Sequence, residues 1–265
     1  MISIIVSTRK NESTLKTFTD NISETIGIEF EFIIIENHAK YSLCEAYNIG
    51  IEKAKYNFFC FVHDDILFKT TSWGNRLISA MEADNSIGLI GVAGTKFKST
   101  YPSGWGQSPY LSHFNKGHIF SKLGIQPENH FEFDQKKIKN DIEDVVCVDG
   151  VFLFTKKELT TLCRFDDKML TNFHGYDIDF SLQVHFARYR VIVDRNILLT
   201  HHSGGNYSRE YTQANRLICK KWKSKLPAVT NDTKLNYFEK KYLDYLNWYY
   251  FLITALKRKI TNSTK

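Results

Sequence analysis

The sequence predicts an α/β fold with a mostly parallel sheet, helices on both faces of that sheet, and a helical C-terminal extension. Two observations support this prediction. In the first part of the chain, short apolar runs alternate with stretches whose apolar residues recur at helical spacing. The links between these segments are short, which is typical of parallel strands joined by right-handed crossovers. We place the α/β domain at residues 1–206 and the extension at residues 207–265.

Four strands and three helices are predicted before residue 95. The strands are almost continuously apolar, as expected where a sheet is covered on both faces. They are Ile2–Ser7, Phe30–Ile35, Phe58–Val62 and Ile87–Val92. The helices carry apolar side chains on one stripe. They are Asn11–Ile26, Leu43–Ala54 and Trp73–Met81.

The second part of the chain has a different character. Residues 95–141 hold three of the four prolines, which predicts a loop-rich insertion. After it, Val145–Phe154 predicts a strand, Lys156–Cys163 a short helix, and Val191–Thr200 two strands. From Tyr207 onward the pattern is helical.

The composition is that of an ordinary globular protein, with 43% hydrophobic and 24% charged residues. The five cysteines form no CxxC pair, so we expect reduced, mostly buried thiols and a cytoplasmic location. We expect no signal peptide, because Met1 leads directly into a strand-like run, and no apolar stretch long enough to span a bilayer. The formal charge of +6 is modest, and we expect no nucleic-acid partner.

Polar residues follow three of the predicted strands at the point where each strand ends. Thr8 follows the first strand, Glu36 the second, and the tripeptide His63-Asp64-Asp65 the third. Open α/β sheets bind ligands outside the carboxyl ends of their strands. The sequence therefore predicts a site at this edge of the sheet.

The tripeptide is the strongest local signal. Two adjacent carboxylates at a strand end must be solvated or share a cation. Carboxylate oxygens suit Mg²⁺ or Mn²⁺, and the imidazole of His63 favours Mn²⁺ or another transition ion. The alternative is a polar loop start in which an aspartate caps the next segment, and the tripeptide alone does not decide between the two.

Asp177 and Asp179 open a predicted helix that runs to about Arg188. A carboxylate held near a reacting centre can act as a general base, and Asp177 is our candidate. Acidic residues in a first turn also suit the helix dipole, so capping alone accounts for one of them.

His201 and His202 end a predicted strand and are followed by Ser203-Gly204-Gly205. Vicinal histidines before a diglycine indicate a metal ligand beside a mobile loop. A single histidine would more often be structural. The pair, together with the two aspartate motifs, favours a functional site.

These motifs resemble those of the family 2 inverting glycosyltransferases, which have the Rossmann-like GT-A fold. The similarity covers about Ile2 to Gly205 and includes the runs ISIIVSTR, EAYNIGIEKA, VDGVFLF and YDIDFSLQ. His63-Asp64-Asp65 stands at the position of the metal-binding DxD motif of the family. The forms HDD, FHGYDID and HHSGG are most similar to the branch typified by a streptomycin-biosynthesis-associated domain.

The resemblance implies a metal-dependent, hexosyltransferase-like enzyme of glycan or polysaccharide biosynthesis. It would move a sugar from a nucleoside-diphosphate sugar, with a UDP-sugar favoured, to a hydroxyl of a glycan or lipid-linked acceptor. The cofactor would be Mn²⁺ or Mg²⁺. Catalysis would depend on positioning of the reactants and on electrostatic stabilisation of the transition state.

The resemblance also assigns roles to individual residues. Thr8 and Glu36 would contact the nucleotide, and Asp64 would lie near the ribose and diphosphate. The metal ligands would be Asp65, His63, His201 and His202. Asp177 would be the base that deprotonates the acceptor hydroxyl.

The substrate side is assigned less directly. Asp149, in the VDG turn, and Asp179 would contact the acceptor or the donor sugar. Trp105, in the loop-rich insertion, would either stack on a sugar ring or anchor the loop to the core, and we favour anchoring.

Three positions depart from the family pattern. His63 replaces the first acid of DxD, Tyr176 replaces the glutamate of a Glu-Asp pair, and Tyr47 stands where many relatives have arginine. A non-catalytic nucleotide- or sugar-binding protein therefore stays open as an alternative. A nucleotidyltransferase is the other alternative, although STRKNES lacks the glycines that usually grip a triphosphate.

Tyr237–Leu256 is rich in aromatic residues and is followed by Lys257-Arg258-Lys259. An aromatic and basic helix suits peripheral contact with an anionic membrane. The alternative is packing against the catalytic domain or in a homodimer. We favour packing, because we expect the aromatic residues to surround much of the helix.

Overall fold

The structure is a computed structural model that describes residues 1–105, 118–120, 141–202, 208–230 and 235–263. The helices are α1 (Glu12–Thr25), α2 (Leu43–Lys53), α3 (Trp73–Ala83), α4 (Tyr176–Phe186), α5 (Arg209–Lys221) and α6 (Tyr237–Ser263). The strands are β1 (Ile2–Thr8), β2 (Phe30–Glu36), β3 (Phe58–Val62), β4 (Ile66–Phe68), β5 (Ile87–Gly91), β6 (Gly94–Thr95), β7 (Phe97–Lys98), β8 (His118–Phe120), β9 (Ile142–Val145), β10 (Cys147–Val148), β11 (Phe152–Lys156), β12 (Arg190–Asp194), β13 (Leu199–His201) and β14 (Ala228–Val229).

Four of the helices begin at a polar residue that caps free backbone N–H groups, and for α6 this is Asn236, which accepts from the N–H of Glu239 at 3.0 Å. The side chain of Asn11 accepts a hydrogen bond from the N–H of Thr14 at 3.0 Å, and that of Ser42 accepts one from Glu45 at 3.1 Å. Ser208 caps α5 in the same way. These bonds satisfy donors that the first helical turn leaves without partners.

Seven strands form the central sheet in the order β2-β1-β3-β11-β5-β12-β9. Strands β1, β2, β3, β5 and β12 run in one direction, and β9 and β11 run against them. The prediction of a mostly parallel sheet is therefore confirmed.

The region Val145–Phe154 differs from the single strand that was expected. It divides into the end of β9, the short β10 and the antiparallel β11. The break lies at Asp149, whose carboxylate accepts a hydrogen bond from the N–H of Val151 at 2.7 Å. An aspartate side chain that bonds the backbone two residues later stabilises a turn and competes with a continuous strand.

The two faces of the sheet bury separate apolar clusters, and helices cover both. Ile2, Ile4 and Val6 of β1 pack with α1 and α3 on one face. Ile5 points to the other face and packs with α2, α4 and α5. This alternation follows from the two-residue period of a strand, and the prediction of helices on both faces is confirmed.

A small sheet at the edge of the domain joins two distant parts of the chain. In it, β4 pairs antiparallel with β13, so that Ile66 lies opposite His201. Because Asp65 directly precedes β4, this pairing brings the His63-Asp64-Asp65 segment next to the two histidines.

The C-terminal helices pack on the α/β domain. Ala214 and Ile218 of α5 join the cluster under α4, and Asp244 of α6 is buried against residues 99–100. The division at residue 206 stays a prediction. All five cysteines are free thiols, and only Cys219 is not fully buried. None of the described helices has the length and apolar character needed to cross a bilayer.

Candidate active site

His63, Asp65 and His201 come together at the edge of the sheet. Each offers one ligand atom, and these atoms all lie within 4.8 Å of one another. The Nε2 atom of His201 is 3.2 Å from Oδ1 of Asp65, and the two imidazole rings are 5.6 Å apart. The sequence motifs around residues 63–65 and 201–202 therefore form one cluster.

The chemistry of this cluster fits a divalent transition ion. Two imidazoles and a carboxylate are donors that Mn²⁺ accepts, whereas Mg²⁺ prefers oxygen ligands alone. Burial and the neighbouring His201 lower the pKa of His63, and neutral imidazole is the form that binds a metal.

His202 lies next to the cluster with an exposed side chain. Its backbone N–H donates to the carbonyl oxygen of Asp65 at 3.0 Å, and this bond ties the end of β13 to the acidic segment. The three residues that follow it in the HHSGG motif lie outside the described residues.

Tyr176 holds the ring of His63. The two residues are 113 positions apart, yet Nε2 of His63 lies 2.7 Å from the tyrosine hydroxyl. Gly150 makes room for that hydroxyl, since a Cβ atom there would collide with it. With Nε2 bonded to the tyrosine, Nδ1 is the atom left for a cation. Two of the three departures from the family pattern, His63 and Tyr176, are thus direct partners.

Asp177 follows Tyr176 at the start of α4 and faces the same turn. Its Oδ2 accepts a hydrogen bond from the N–H of Gly150 at 3.1 Å. Burial and the nearby carboxylate of Asp149 raise the pKa of Asp177 to about 7, against the effect of backbone hydrogen bonds that lower it. A carboxylate with a pKa near neutrality is suited to exchange a proton with a hydroxyl group.

The turn at residues 149–151 contacts both Asp177 and His63. Asp149 raises the pKa of Asp177 and opposes the lowering of the pKa of His63, so its charge is felt by both residues. The carbonyl oxygen of Val151 accepts a hydrogen bond from the N–H of His63 at 3.2 Å. The structure therefore places Asp149 and Asp177 beside the histidine cluster.

Thr8 and Asp64 form a second group, at the end of β1. The hydroxyl of Thr8 donates to the carboxylate of Asp64. Lys10 donates to the carbonyl oxygen of Asp64 at 2.6 Å, and its Nζ lies 3.6 Å from Oδ1 of the same residue. Glu36 is exposed and lies opposite Thr8 in the register of β1 and β2.

Lys10 was not identified from the sequence. It is a partly exposed cation beside the acidic segment, where a phosphate group could meet it. Its position two residues after Thr8 at the end of the first strand is the signal that could have identified it.

Asp179 lies away from this edge, although it is only two residues from Asp177. Its buried carboxylate accepts hydrogen bonds at 2.8 Å from Gln183, Lys221 and Trp222, and it joins α4 to the end of α5. We therefore leave Asp179 out of the proposed site. The physical reason is that all three donors come from the protein itself.

Trp105 is half-buried and packs against the apolar cluster that contains α2 and α4. This position agrees with the anchoring role that we favoured. Residues 106–117 and 121–140 of the insertion lie outside the described residues.

Tyr47 is fully buried beneath the site. Its ring makes an edge contact with Tyr176, with centroids 5.6 Å apart. Among the described residues its hydroxyl has no hydrogen-bond partner, and burial raises the pKa of this hydroxyl. The residue supports Tyr176 by packing.

Solved structures with a similar fold are glycosyltransferases. The chain matches a crystal structure of GalNAc-T7 with UDP, GalNAc and Mn²⁺ at a TM-score of 0.60 and 13% identity, over 84% of this chain and 49% of that one. It matches S. aureus TarS (residues 1–349) at a TM-score of 0.53 and 10% identity, over 92% of this chain and 69% of that one. The chain thus spans about half the length of the GalNAc-T7 chain. These matches define the fold as GT-A.

The sequence profile named "Glycosyltransferase like family" matches residues 3–223, most of the chain. The protein therefore belongs to this glycosyltransferase-like family. Comparison of the sequence with curated proteins gives no match. The predicted membership of a family 2-type glycosyltransferase family is therefore confirmed. The streptomycin-associated branch stays a prediction.

Proposed function

We propose that this glycosyltransferase is a metal-dependent, inverting enzyme that transfers a sugar from a nucleoside-diphosphate sugar to a hydroxyl group. The observation that carries this proposal is the convergence of His63, Asp65 and His201 beside Asp177. A cation site and a general base side by side are what a single displacement with a charged leaving group requires.

His63, Asp65 and His201 would hold the ion, with His202 beside them. Bound there, Mn²⁺ or Mg²⁺ supplies charge neutralisation for a departing nucleoside diphosphate. The two imidazoles favour Mn²⁺. The solved structure of GalNAc-T7 contains UDP and Mn²⁺, and it supports this choice of metal and a UDP-sugar as donor.

Asp177 would take the proton of the acceptor hydroxyl as that oxygen attacks the anomeric carbon. The backbone N–H of Gly150 fixes the orientation of its carboxylate. Asp149 keeps the pKa of Asp177 high and lies where it can also contact the acceptor or the donor sugar. Attack from the side opposite the leaving group inverts the anomeric configuration.

Thr8, Glu36 and Asp64 would contact the nucleotide. Thr8 and Glu36 end β1 and β2, and Asp64 follows β3, at the carboxyl edge where α/β sheets bind ligands. Lys10 adds a positive charge that suits the diphosphate. The acceptor would be a glycan or a lipid-linked sugar in glycan or polysaccharide biosynthesis, and the location would be cytoplasmic, as the cysteine usage indicates.

A thermal-shift panel of nucleoside diphosphates with and without Mn²⁺ tests the proposal. We expect the melting temperature to rise most with UDP and Mn²⁺ together, and Asp65→Ala to abolish the rise. Asp20→Ala is the matched control, because Asp20 is an exposed acid paired with Lys16 on α1. Absence of a shift with every nucleotide would contradict the proposal.

Slow hydrolysis of a UDP-sugar separates an enzyme from a binding protein. A transferase hydrolyses its donor slowly when no acceptor is present, whereas a non-catalytic binding protein shifts its melting temperature without hydrolysis. A nucleotidyltransferase would instead respond to nucleoside triphosphates in the same panel.

A further inference from the structure

Helix α6 exposes several of its large apolar side chains, whereas Leu243, Leu246 and Trp248 are half-buried. Phe238 is 80% exposed, Tyr242 62%, Tyr245 54%, Tyr249 51% and Leu252 40%. The spacing alternates between four and three residues, so these side chains form one stripe along the helix. We call these five residues the aromatic stripe.

The opposite face of α6 holds the helix in place through polar groups. The buried carboxylate of Asp244 accepts hydrogen bonds from the hydroxyls of Ser99 and Thr100, at 2.6 and 2.5 Å, and from the N–H of Thr100 at 2.9 Å. Asn247, one turn later, is also buried. Leu243, Leu246 and Trp248 are half-buried beside these two residues. The protein therefore covers one side of α6, whereas the aromatic stripe is an exposed apolar surface, which is typical of an interaction site.

The charge of α6 indicates which kind of partner suits the aromatic stripe. Residues 237–263 contain Lys240, Lys241 and the run Lys257-Arg258-Lys259, against Glu239 and Asp244. The negative charge of Asp244 is already engaged by its three hydrogen bonds. The helix is therefore positively charged at both ends of the aromatic stripe, which is complementary to an anionic surface.

We propose that α6 lies in the interface of an anionic lipid bilayer and inserts the aromatic stripe at the level of the headgroups. Tyrosine suits this depth, because its ring is apolar and its hydroxyl stays hydrated. A helix of 27 residues is about 40 Å long and would lie along the surface. Lys240 and Lys241 near its start would meet the lipid phosphates.

A second copy of the chain fits this surface less well. Two identical helices would bring their basic ends together, whether they run parallel or, because both ends are basic, antiparallel. Paired helices also favour leucine, isoleucine and valine at the positions that face each other, whereas this stripe has three tyrosines. Charge and side-chain type both favour lipid.

The position of α6 on the domain suggests a role for its contact with a bilayer. Asp244 binds residues 99–100, which lie in the loop-rich insertion at residues 95–141 that we expect on the acceptor side. A bilayer held at α6 would bring a lipid-linked acceptor toward this side of the domain. This consequence rests on the proposed transferase function, whereas the docking itself does not.

Co-sedimentation of the full chain with lipid vesicles tests the proposal. We expect binding to vesicles of phosphatidylcholine and phosphatidylglycerol, little binding to phosphatidylcholine alone, and weaker binding as salt is raised. The triple variant Tyr242→Ser, Tyr245→Ser, Tyr249→Ser should bind at least about tenfold more weakly. The double variant Leu162→Ser, Leu198→Ser is the matched control, because it removes exposed apolar side chains elsewhere.

A second variant and a second measurement keep the outcomes distinct. Lys240→Glu, Lys241→Glu should weaken binding to the anionic vesicles while leaving the aromatic stripe intact. The nucleotide-dependent thermal shift should be unchanged in all these variants, so its loss would concern the transferase function instead. Equal binding by the parent and triple variant would overturn the proposal. A dimer in sedimentation velocity that the triple variant dissociates, without vesicle binding, would also overturn it.

Discussion

Two carboxylates in the first turn of α4, those of Asp177 and Asp179, differ in the groups that surround them. At the junction of α4 with α5, Asp179 is bonded by Lys221, Trp222 and Gln183, so the protein itself supplies the positive charge. At the edge of the sheet, Asp177 is bonded by the N–H of Gly150 and lies beside another carboxylate, that of Asp149. The first arrangement stabilises the fold. The second raises the pKa of Asp177, as is common at functional sites.

The largest effect is expected from Asp177→Asn, which should lower the rate of UDP-sugar hydrolysis by about 10²- to 10⁴-fold. The amide keeps the size and the hydrogen bond from Gly150 but cannot accept a proton. The free energy of unfolding should stay the same or increase, because a buried carboxylate is removed. A variant with normal activity would exclude Asp177 as the base.

Asp179→Ala should act in the opposite way, on stability. Removing this acceptor leaves the half-buried indole N–H of Trp222 without its hydrogen-bond partner, at a cost of about 1–3 kcal/mol in the free energy of unfolding. Lys221 keeps its ion pair with Asp166. Urea denaturation measures the loss, and nucleotide binding below the transition should be normal. Loss of nucleotide binding in a stable Asp179→Ala protein would return this residue to the site.

Tyr176→Phe should weaken Mn²⁺ binding by about tenfold, because it removes the hydroxyl that orients the ring of His63. Tyr47→Phe is a matched control, since its hydroxyl lies in the same cluster without a hydrogen-bond partner among the described residues. Isothermal titration of both variants with Mn²⁺ gives the comparison. Equal dissociation constants would show that the contact between Tyr176 and His63 does not serve the metal.

A further effect is expected in the pH dependence of stability without metal. The pKa of Asp177 is about 7 in the folded protein and about 3.9 in an unfolded chain. The contribution of its protonated form is therefore complete below pH 4 and is lost as the pH rises through 7. Between pH 5 and pH 8, the parent protein should lose more unfolding free energy than Asp177→Asn does. Parallel urea curves for the two proteins would contradict the raised pKa.

Much of the fold could be predicted from the sequence, because periodicity is a local property. The apolar runs of β1, β2, β3 and β5 and the helices between them were identified close to their observed bounds. The antiparallel direction of β11 could not be identified. It depends on the turn at Asp149 and on the insertion of β11 between β3 and β5, and both are settled by pairing across the chain.

The site was predictable in its residue types and not in its contacts. The tripeptide at residues 63–65 and the histidine pair at 201–202 were recognised, and the pairing of β4 with β13 explains their meeting. Asp177 and Asp179 look equivalent in sequence. Lys221 and Trp222, the partners that distinguish them, lie more than 40 residues away. The hydrogen bond between His63 and Tyr176 spans 113 residues and leaves no local signal.

Isothermal titration of UDP in Mn²⁺ buffer tests most directly whether the three side chains hold one ion. UDP should bind the parent protein and His38→Ala, a control at an exposed histidine, with the same affinity. Asp65→Ala and His201→Ala should each weaken binding at least about tenfold, and chelation of the metal should weaken it in the parent protein. Equal affinity in all four proteins, with or without the metal, would contradict the cation site.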